Sequence, residues 1–266
     1  MESFSDFIDS YGRTTRKATY CYLELFTGYG VYPCNGVDCS LESSPLRVLK
    51  SRAKFKRYAF LAQNRTVSRS LQSLIAPFNA AQNIEILVGN PNNAKTLFRL
   101  LDNVPRSASG LVFIDPGGYR RLNWSTLERL AVHGQNWQGA KLELLIIFPL
   151  EMALLRNLMR DECAESVTRF YGNQQWEELK RQKRVKKIVP DDIKHKLVEL
   201  FKNGLHNLGY RYVEDFRPAA PTHDPYYHLI YAGDNQSRLK SLKEAWGKPR
   251  FLRCELLYGI QKHKVG

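Results

Sequence analysis

The sequence predicts an α/β protein with a mostly parallel seven-stranded sheet and an antiparallel last strand. Short apolar runs alternate with helix-like segments as far as Pro149. These runs are apolar on both faces, which is typical of parallel strands covered by helices on each side. Two further strand-like runs follow one another near the C-terminus, and with no helix between them they must pair antiparallel or lie apart.

Five strands are predicted in the alternating part of the chain, at 19–26, 57–64, 83–90, 110–116 and 141–149. The first helix should begin at Ser43-Ser44-Pro45, because a serine N-cap often precedes a proline in the first helical turn. We expect that helix to continue through 46–55 with Leu46, Leu49 and Ala53 on one face. Further helices are predicted at 67–78, where Pro77 should end the helix, at 93–104 and at 124–134.

After Pro149 the pattern becomes helical, with segments 151–172 and 191–209 separated by the basic run "KRQKRVKK". Each segment is amphipathic, so we interpret 150–207 as a helical insertion within one domain that spans 1–266. The two last strands, 210–216 and 226–233, are joined by the proline-rich "RPAAPTHDP". Residues 234–266 should form a helix and a basic tail.

The charge balance indicates a polyanionic partner. The chain carries 40 Lys+Arg against 26 Asp+Glu, a formal net charge of +14. Nucleic acid is the most frequent partner of so basic a protein, although charge also serves solubility alone.

Two basic groups are candidates for phosphate contacts. Arg47, Lys50, Lys54 and Arg57 recur at three-four-three spacing and would share one helical face. The second group is the basic run, with Lys180, Arg181, Lys183, Arg184, Lys186 and Lys187. A solvated helix face is the alternative interpretation of these residues.

The sequence also bears on location. No stretch of 18 uninterrupted apolar residues is present, so no membrane span is predicted, and the acidic N-terminus does not resemble a signal peptide. The five cysteines are scattered, and none forms a CxxC pair: Cys21, Cys34, Cys39, Cys163 and Cys254. We therefore expect a reducing cytoplasm, with neither a disulfide framework nor a zinc site. The oligomeric state is left open.

The first strand ends in a candidate ligand loop, "LELFTGYG" at 23–30. Open α/β sheets bind nucleotide-like ligands where such strands end, and Gly28 and Gly30 allow a close approach of the backbone. Glu24 is placed to accept a hydrogen bond from a cationic amine, such as that of S-adenosylmethionine. The GxxxxGK[ST] phosphate loop is absent, which argues against an NTPase. A plain turn is the alternative.

The fourth strand ends in "FIDPGGY" at 113–119. Asp115 and the Pro116 carbonyl are placed to accept the two hydrogens of an exocyclic amino group, and Tyr119 to stack on the base. Such a clamp suits N-methylation of a nucleobase in RNA or DNA, provided that the base is single-stranded or flipped out. The alternative is a strand end with a Pro-Gly turn and a tyrosine packed on the sheet edge.

Five parallel strands followed by an antiparallel pair are the outline of a class I methyltransferase. The ordered motifs "YLELFTGYG", "ESSPLRVL", "FIDPGGY", "IIFP", "RFYGNQQW" and "DPYYHLIYAG" resemble the three-Cys-motif partner protein family. That resemblance implies a Rossmann-like fold, S-adenosylmethionine as cofactor, and a separate cysteine-motif partner that looks like a radical-S-adenosylmethionine enzyme. Glu24 takes the place of the aspartate in the family's Asp-Leu-Phe-Ala-Gly-Pro-Gly loop. Ser44-Pro45 matches its helix start and Asp115-Pro116-Gly117-Gly118 its Asp-Pro-Phe-Gly.

The implied cofactor site departs from the usual pattern in two places. Ala62, with Gln63 and Asn64 after it, stands where class I methyltransferases carry an acid for the ribose, and Asn90 stands where an aspartate commonly contacts adenine. A charge-assisted bond contributes about 1.5–3 kcal/mol, so its loss would weaken binding roughly tenfold to a hundredfold. Gln63 or Asn64 is the candidate substitute. The cofactor-binding set is then Glu24, Phe26, Gly28, Gly30, Ala62, Gln63, Asn64 and Asn90.

Two alternatives accompany this interpretation. A methyltransferase-like scaffold without turnover would bind nucleic acid or a partner protein and keep the same fold. The segment "THDPYYH" places His223, Asp224 and His228 close together and raises the possibility of a metal site. Odd spacing puts the two histidines on opposite faces of a strand, so we predict no metal there.

Overall fold

The computed structural model of the chain describes residues 4, 7–9, 20–29, 31–33, 40–79, 82–133, 141–217 and 228–246. Its central sheet has seven strands, and a small hairpin adds two more. In chain order they are β1 (Tyr20–Thr27), β2 (Val31–Pro33), β3 (Ser40–Glu42), β4 (Arg57–Ala62), β5 (Ile84–Val88), β6 (Ser109–Ile114), β7 (Glu143–Phe148), β8 (Tyr212–Phe216) and β9 (His228–Gly233).

The main sheet has the strand order β5-β4-β1-β6-β7-β9-β8. β5, β4, β1, β6 and β7 are parallel, whereas β9 is antiparallel to both β7 and β8. The predicted mostly parallel seven-stranded sheet with an antiparallel last strand is therefore confirmed. The hairpin of β2 and β3 is a separate antiparallel ladder that the sequence did not predict.

Besides the helical residues 4 and 7–9, the described part of the chain has nine α-helices: α1 (Ser44–Lys50), α2 (Arg65–Asn79), α3 (Ala94–Asp102), α4 (Trp124–Val132), α5 (Leu155–Asn157), α6 (Ala164–Tyr171), α7 (Trp176–Arg184), α8 (Pro190–Asn207) and α9 (Gln236–Trp246). Short 3₁₀ turns lie at Tyr119–Arg121 and Asp161–Cys163, and a π-helical turn lies at Leu150–Leu154. α2 runs two residues beyond Pro77. Among the described helices none is long and apolar enough to cross a membrane.

Two hydrophobic cores sandwich the sheet, which explains strands that are apolar on both faces. Alternate residues of β1 point to opposite sides, so Leu23 and Leu25 join one core and Tyr22 joins the other. The first core takes in buried residues of α3, α4, α6 and α8, and the second takes in those of α1, α2 and α9. The parallel strands therefore lie between two layers of helices.

Helix α1 is shorter than predicted. Ser43 is its N-cap and proline lies in its first turn, as expected, but the helix ends at Lys50. Ser51 adopts an extended conformation, and its hydroxyl donates to the carbonyls of Val48 and Ala53, which fixes the chain reversal. The expectation that the helix continues through 46–55 is therefore wrong.

The predicted basic face of Arg47, Lys50, Lys54 and Arg57 is wrong for the same reason. Lys54 lies in the loop after α1, and Arg57 begins β4, where it pairs with Glu85. Arg47 is buried. These four side chains do not share one helical surface.

Trp124, at the start of α4, packs against two glycines. Gly172 ends α6 at φ +71, and a β-carbon there would lie 2.3 Å from Trp124 Cδ1. A β-carbon on Gly204 of α8 would lie 2.6 Å from Cη2 of the same ring. The indole thus occupies space that only glycine leaves free, and it ties α4 to α6 and α8.

The substitution Gly172→Ala should destabilise the protein by about 2–4 kcal/mol, because it combines a left-handed backbone with overpacking of a rigid ring. The expected result is a melting temperature lower by several degrees in thermal unfolding. Gly118→Ala is the matched control, since a β-carbon there meets nothing within 4 Å. Equal melting temperatures for the two variants would contradict this account of Trp124 packing.

Candidate cofactor and substrate site

The carboxyl ends of the parallel strands bring the predicted site residues to one edge. Gly28 follows β1, Gln63 follows β4, Asn90 follows β5 and Asp115 follows β6. β1 and β6 are neighbours, and the chain continues from them towards opposite sides of the sheet. Open α/β sheets bind ligands at such a switch point in the strand order.

Glu24 is a buried carboxyl group near the end of β1, with only 2% of its surface exposed. Ser44 Oγ, in the first turn of α1, donates to Glu24 Oε1 over 2.9 Å, and Tyr22 Oη donates to Oε2 over 2.9 Å. Burial raises the pKa of Glu24 from 4.5 to about 8, although the two hydroxyl donors oppose the shift, and the charge of Asp115 adds to it. At neutral pH the group is therefore mostly protonated in the protein alone.

Asp115 lies on the same face of the sheet as Glu24. Glu24 pairs in register with Phe113 of β6, and Asp115 is two residues further along that strand direction. Asp115 is partly exposed, and its Oδ1 accepts the N–H of Gly117 over 3.3 Å. Pro116 is buried beside it. The structure thus brings together the two carboxyl groups that the sequence predicted separately, one for the cofactor and one for the reaction.

The end of β1 is backbone-strained at Phe26. This residue has φ +63, and the pairing of β1 with β4 is interrupted between Leu25 and Thr27. Left-handed non-glycine residues of this kind concentrate at functional sites. The Phe26 ring is buried in the core, so a role in ligand binding falls to the backbone of this turn. Gly28 is partly exposed there, and Gly30 lies outside the described residues.

The ends of β4 and β5 meet at the Gly89 N–H, which donates to the Ala62 carbonyl over 2.9 Å. Asn64 Oδ1 accepts the Val67 N–H and so caps α2, while Asn90 Oδ1 accepts the Asn92 N–H. Gln63 is exposed, and its side chain makes no hydrogen bond within the described part of the chain. Gln63 and Asn64 are the two candidates to replace the acid that usually binds the ribose hydroxyls. The side-chain amide of Gln63 is the one that remains available to a ligand.

Tyr119 is not available for stacking, so that prediction is wrong. Its ring is fully buried and packs edge-to-face on Phe170 with centroids 6.1 Å apart. Its hydroxyl accepts hydrogen bonds from Arg120 Nε at 3.2 Å and Ser166 Oγ at 3.3 Å. The 3₁₀ turn after Gly118 directs the ring into the core below the sheet edge.

Asn92 is a site residue that the sequence reasoning missed. Its Oδ1 accepts from the Asn123 N–H and from Thr126 Oγ1, both at 2.9 Å, and its Nδ2 donates to the Arg121 carbonyl over 2.8 Å. It therefore joins the loop after β5 to the loop after β6. The run "NPNN" at 90–93 was the available signal, since clustered asparagines often fix turns through side-chain hydrogen bonds.

The basic run 180–187 lies between the two predicted helical segments, but its first five residues are themselves helical, because α7 extends to Arg184. Three of its cations are paired with acids: Lys180 and Arg184 with Asp161, and Arg181 with Glu178. Lys183, Lys186 and Lys187 form no ion pair within the described residues. Lys186 has φ +54, which turns the chain outward, and both it and Lys187 are exposed.

His228 has a structural role, in contact with Asp215 and Phe148. It is 4% exposed, its Nδ1 lies 3.1 Å from Asp215 Oδ2, and its ring meets Phe148 edge-on. The His228 contact is the main cause of an Asp215 pKa lowered to about 2. His223 and Asp224 lie outside the described residues, within which no group of three or more metal-ligating side chains is found.

The strand order and the helices on both faces define a Rossmann-like fold of the class I methyltransferase type. No family model matches the chain, and no curated protein matches it. Among solved structures, the chain is similar to protein LPL1258 from Legionella pneumophila, which is described by the family model DUF519. The two are 12% identical with a TM-score of 0.53, over 91% of this chain and 90% of that one.

Two methyltransferases of known structure are also similar to the chain. Precorrin-6y C5,15-methyltransferase from Geobacter metallireducens is 11% identical, with 86% of this chain and 87% of that chain covered and a TM-score of 0.40. An O-methyltransferase from Bacillus cereus, in complex with SAH, is 8% identical, with 86% and 80% covered and a TM-score of 0.42. At these identities and TM-scores the similarity assigns neither an activity nor a substrate to the chain.

Proposed function

We propose that the protein is an S-adenosylmethionine-dependent methyltransferase that acts on an amino group of a nucleobase in RNA or DNA. One observation carries this proposal: two acids, Glu24 in β1 and Asp115 directly after β6, interact electrostatically at the switch point of the sheet. Each acid is suited to a different half of the reaction, because one is buried with a raised pKa and the other is partly exposed.

The residues at the strand ends fit S-adenosylmethionine. The Glu24 carboxyl, held by Ser44 and Tyr22, retains lone pairs that can accept from a ligand ammonium group. Gln63 and Asn90 offer amides for hydroxyl and ring-nitrogen contacts, and Gly28 leaves the backbone open to close approach. When bound, the cofactor supplies an electrophilic methyl group.

The substrate amine would be oriented by Asp115 and the Pro116 carbonyl. Two acceptors that take the two amine hydrogens direct the nitrogen lone pair away from them, towards the methyl donor. Alignment of this kind can supply about 7–11 kcal/mol of the barrier reduction. Asp115 or water accepts the proton that the methylated amine must lose, so no further base is needed. An amine on a paired base is inaccessible, and the base must be single-stranded or flipped out.

The basic turn after α7 supports a nucleic-acid substrate. Lys183, in the last turn of α7, and Lys186 and Lys187 just after it form no ion pair within the described residues, although Lys187 is near enough to Glu178 to lower the pKa of that carboxyl. Their charge is therefore available to phosphates. Reversing all three to glutamate should weaken nucleic-acid binding and lower the salt slope by about 2 for single strands. Fluorescence anisotropy over a salt series measures both quantities. The control reverses Lys180 and Arg181, which are already paired with acids; equal losses in the two variants would contradict this assignment.

The proposed activity is tested directly by transfer of labelled methyl groups from S-adenosylmethionine to total RNA and to denatured DNA. Digestion to nucleosides should yield one N-methylated nucleoside carrying the label. The assay is repeated with a cysteine-motif partner protein, which the resemblance to the three-Cys-motif partner family adds to the proposal. Absence of label from all nucleic acid, with and without the partner protein, would refute the proposed methyltransferase activity.

A non-catalytic scaffold is the second candidate, and a specific observation favours it. No carboxylate stands at the ends of β4 or β5, and the oxygens of Asn64 and Asn90 already hold their own loops. Such a protein would bind nucleic acid through the basic turn without turnover. In that case the substitution Asp115→Ala would change nothing measurable in a complex with nucleic acid or a partner protein.

A further inference from the structure

Arg121 stands out at the rim of the Asp115 loop. Its neighbour Arg120 is tied to the core, since it donates to Tyr119 Oη and to Cys163 Sγ. Both arginines are exposed, but Arg121 has no carboxylate partner within the described part of the chain. The two adjacent arginines thus differ in their contacts. Arg120 holds the loop to the core, whereas the charge of Arg121 is available near Asp115.

Three contacts hold Arg121 in place. Its guanidinium carbon lies 5.9 Å from the centroid of the Phe26 ring, a cation–π distance. Its carbonyl accepts the Asn92 amide over 2.8 Å, and its N–H donates to the Gly118 carbonyl over 3.1 Å. The two backbone hydrogen bonds fix the turn that carries Arg121, and the Phe26 ring alone restrains the side chain, which lowers the freedom lost when a ligand binds.

Gly117 opens the space between Arg121 and Asp115. A β-carbon at Gly117 would lie 3.3 Å from Arg121 Nη1, closer than ordinary packing contact, and the residue has φ +64. The Gly117 N–H also donates to Asp115 Oδ1. Gly117 therefore hydrogen-bonds Asp115 and leaves room for the Arg121 guanidinium over the same loop. A single substrate can then contact both side chains.

We propose that Arg121 is a substrate-anchoring residue that binds a backbone phosphate of the nucleotide whose base amine enters at Asp115. The inference rests on the proposed function for the identity of the substrate. The planar guanidinium gives bidentate hydrogen bonds to phosphate oxygens, which a lysine does not reproduce. A phosphate contact beside Asp115 positions the target nucleotide, whereas the residues at 183–187 bind other phosphates along the nucleic-acid strand.

The cofactor's methionine carboxylate is the other anion that could meet Arg121, and the experiment separates the two. Arg121→Ala, Arg121→Lys and the control Arg99→Ala are compared, since Arg99 is an exposed arginine of α3 without an acidic partner in the described residues. One arm measures S-adenosylhomocysteine binding by calorimetry. The other measures binding of fluorescent single-stranded oligoribonucleotides of about 12 nucleotides, from roughly 50 to 200 mM salt.

Arg121→Ala should bind the oligoribonucleotides about tenfold more weakly than the wild type, because it loses a charge-assisted contact. Its salt slope should fall by about 0.7, the value for one phosphate contact on a single strand. Arg121→Lys should restore the slope but only part of the affinity, and all variants should bind S-adenosylhomocysteine like the wild type.

The inference is overturned if Arg121→Ala binds oligoribonucleotides like Arg99→Ala, if it weakens S-adenosylhomocysteine binding alone, or if the wild type binds no oligoribonucleotide. Failure of the proposed function has a different signature. A wild-type protein that binds no S-adenosylhomocysteine and transfers no methyl group, but still loses oligoribonucleotide affinity on Arg121→Ala, refutes the methyltransferase and supports the phosphate anchor.

Discussion

The substitution Asp115→Asn should reduce methyl transfer by about 10²–10⁴-fold, the range for loss of a positioned acid–base group. An asparagine keeps the shape of the side chain but replaces one acceptor oxygen with a donor and removes the charge. The amine would then face an N–H group in place of one of its two acceptors. Initial rates with labelled S-adenosylmethionine and nucleic acid, at saturating concentrations of both, measure the effect.

Asp102→Asn is the matched control, because Asp102 is an exposed acid at the end of α3. It should leave the rate unchanged. Asp115→Asn should retain binding of S-adenosylhomocysteine, which separates loss of reaction from loss of the cofactor. A rate within threefold of the wild type would remove Asp115 from the mechanism.

The second large effect is expected from Glu24→Gln, which should weaken S-adenosylhomocysteine binding about tenfold to a hundredfold. The cationic amine of the ligand favours the ionised carboxyl, whereas the protein alone holds Glu24 with a pKa of about 8. The ligand's amine is that of a free amino acid and is more basic than a peptide α-amino group, whose pKa is about 7.7–8.0, so it is charged at about pH 6.5. Binding at that pH should therefore release about one proton from Glu24, and Glu24→Gln should release none.

Calorimetry in two buffers of different ionisation enthalpy measures the proton release, because the observed heat then differs between buffers. The control is Glu177→Gln, an exposed acid of α7 without a partner in the described residues. Equal heats in both buffers for the wild type would show that Glu24 does not meet the amine.

The same pKa has a consequence for stability. A carboxyl group whose pKa is raised on folding stabilises the folded state fully below its unfolded pKa of about 4.3. That contribution is lost as the pH rises through about 8. Glu24→Gln should consequently become more stable relative to the wild type between pH 5 and 8, as urea unfolding over that range would reveal.

The fold was predictable because its signals are local and strong. Runs such as "YLELF" and "LLIIF" are apolar on both faces, and that pattern specifies buried parallel strands with helices between them. The end of α1 was not predictable, because the periodic pattern continues past Lys50 while the Ser51 hydroxyl reverses the chain. A three-residue hairpin such as β2 and β3 carries too few residues for a periodic signal.

The site was predictable in part. A parallel sheet places strand ends at one edge, so Glu24, Gln63, Asn90 and Asp115 could be grouped before any coordinates. The direction of Tyr119 could not, because the 3₁₀ turn that buries its ring depends on packing against Phe170 and Ser166. The pKa of Glu24 likewise depends on its burial in the folded protein and on the opposing hydrogen bond from Ser44, which is distant in the chain.

The central claim, that Glu24 and the neighbouring strand ends form an S-adenosylmethionine site, is tested most directly by calorimetric titration of the wild-type protein with S-adenosylhomocysteine. We predict saturable binding of one ligand per chain, with about one proton released at roughly pH 6.5. No heat of binding at ligand concentrations of about 1 mM, with a protein shown to be folded by circular dichroism, would contradict the claim and favour the non-catalytic scaffold.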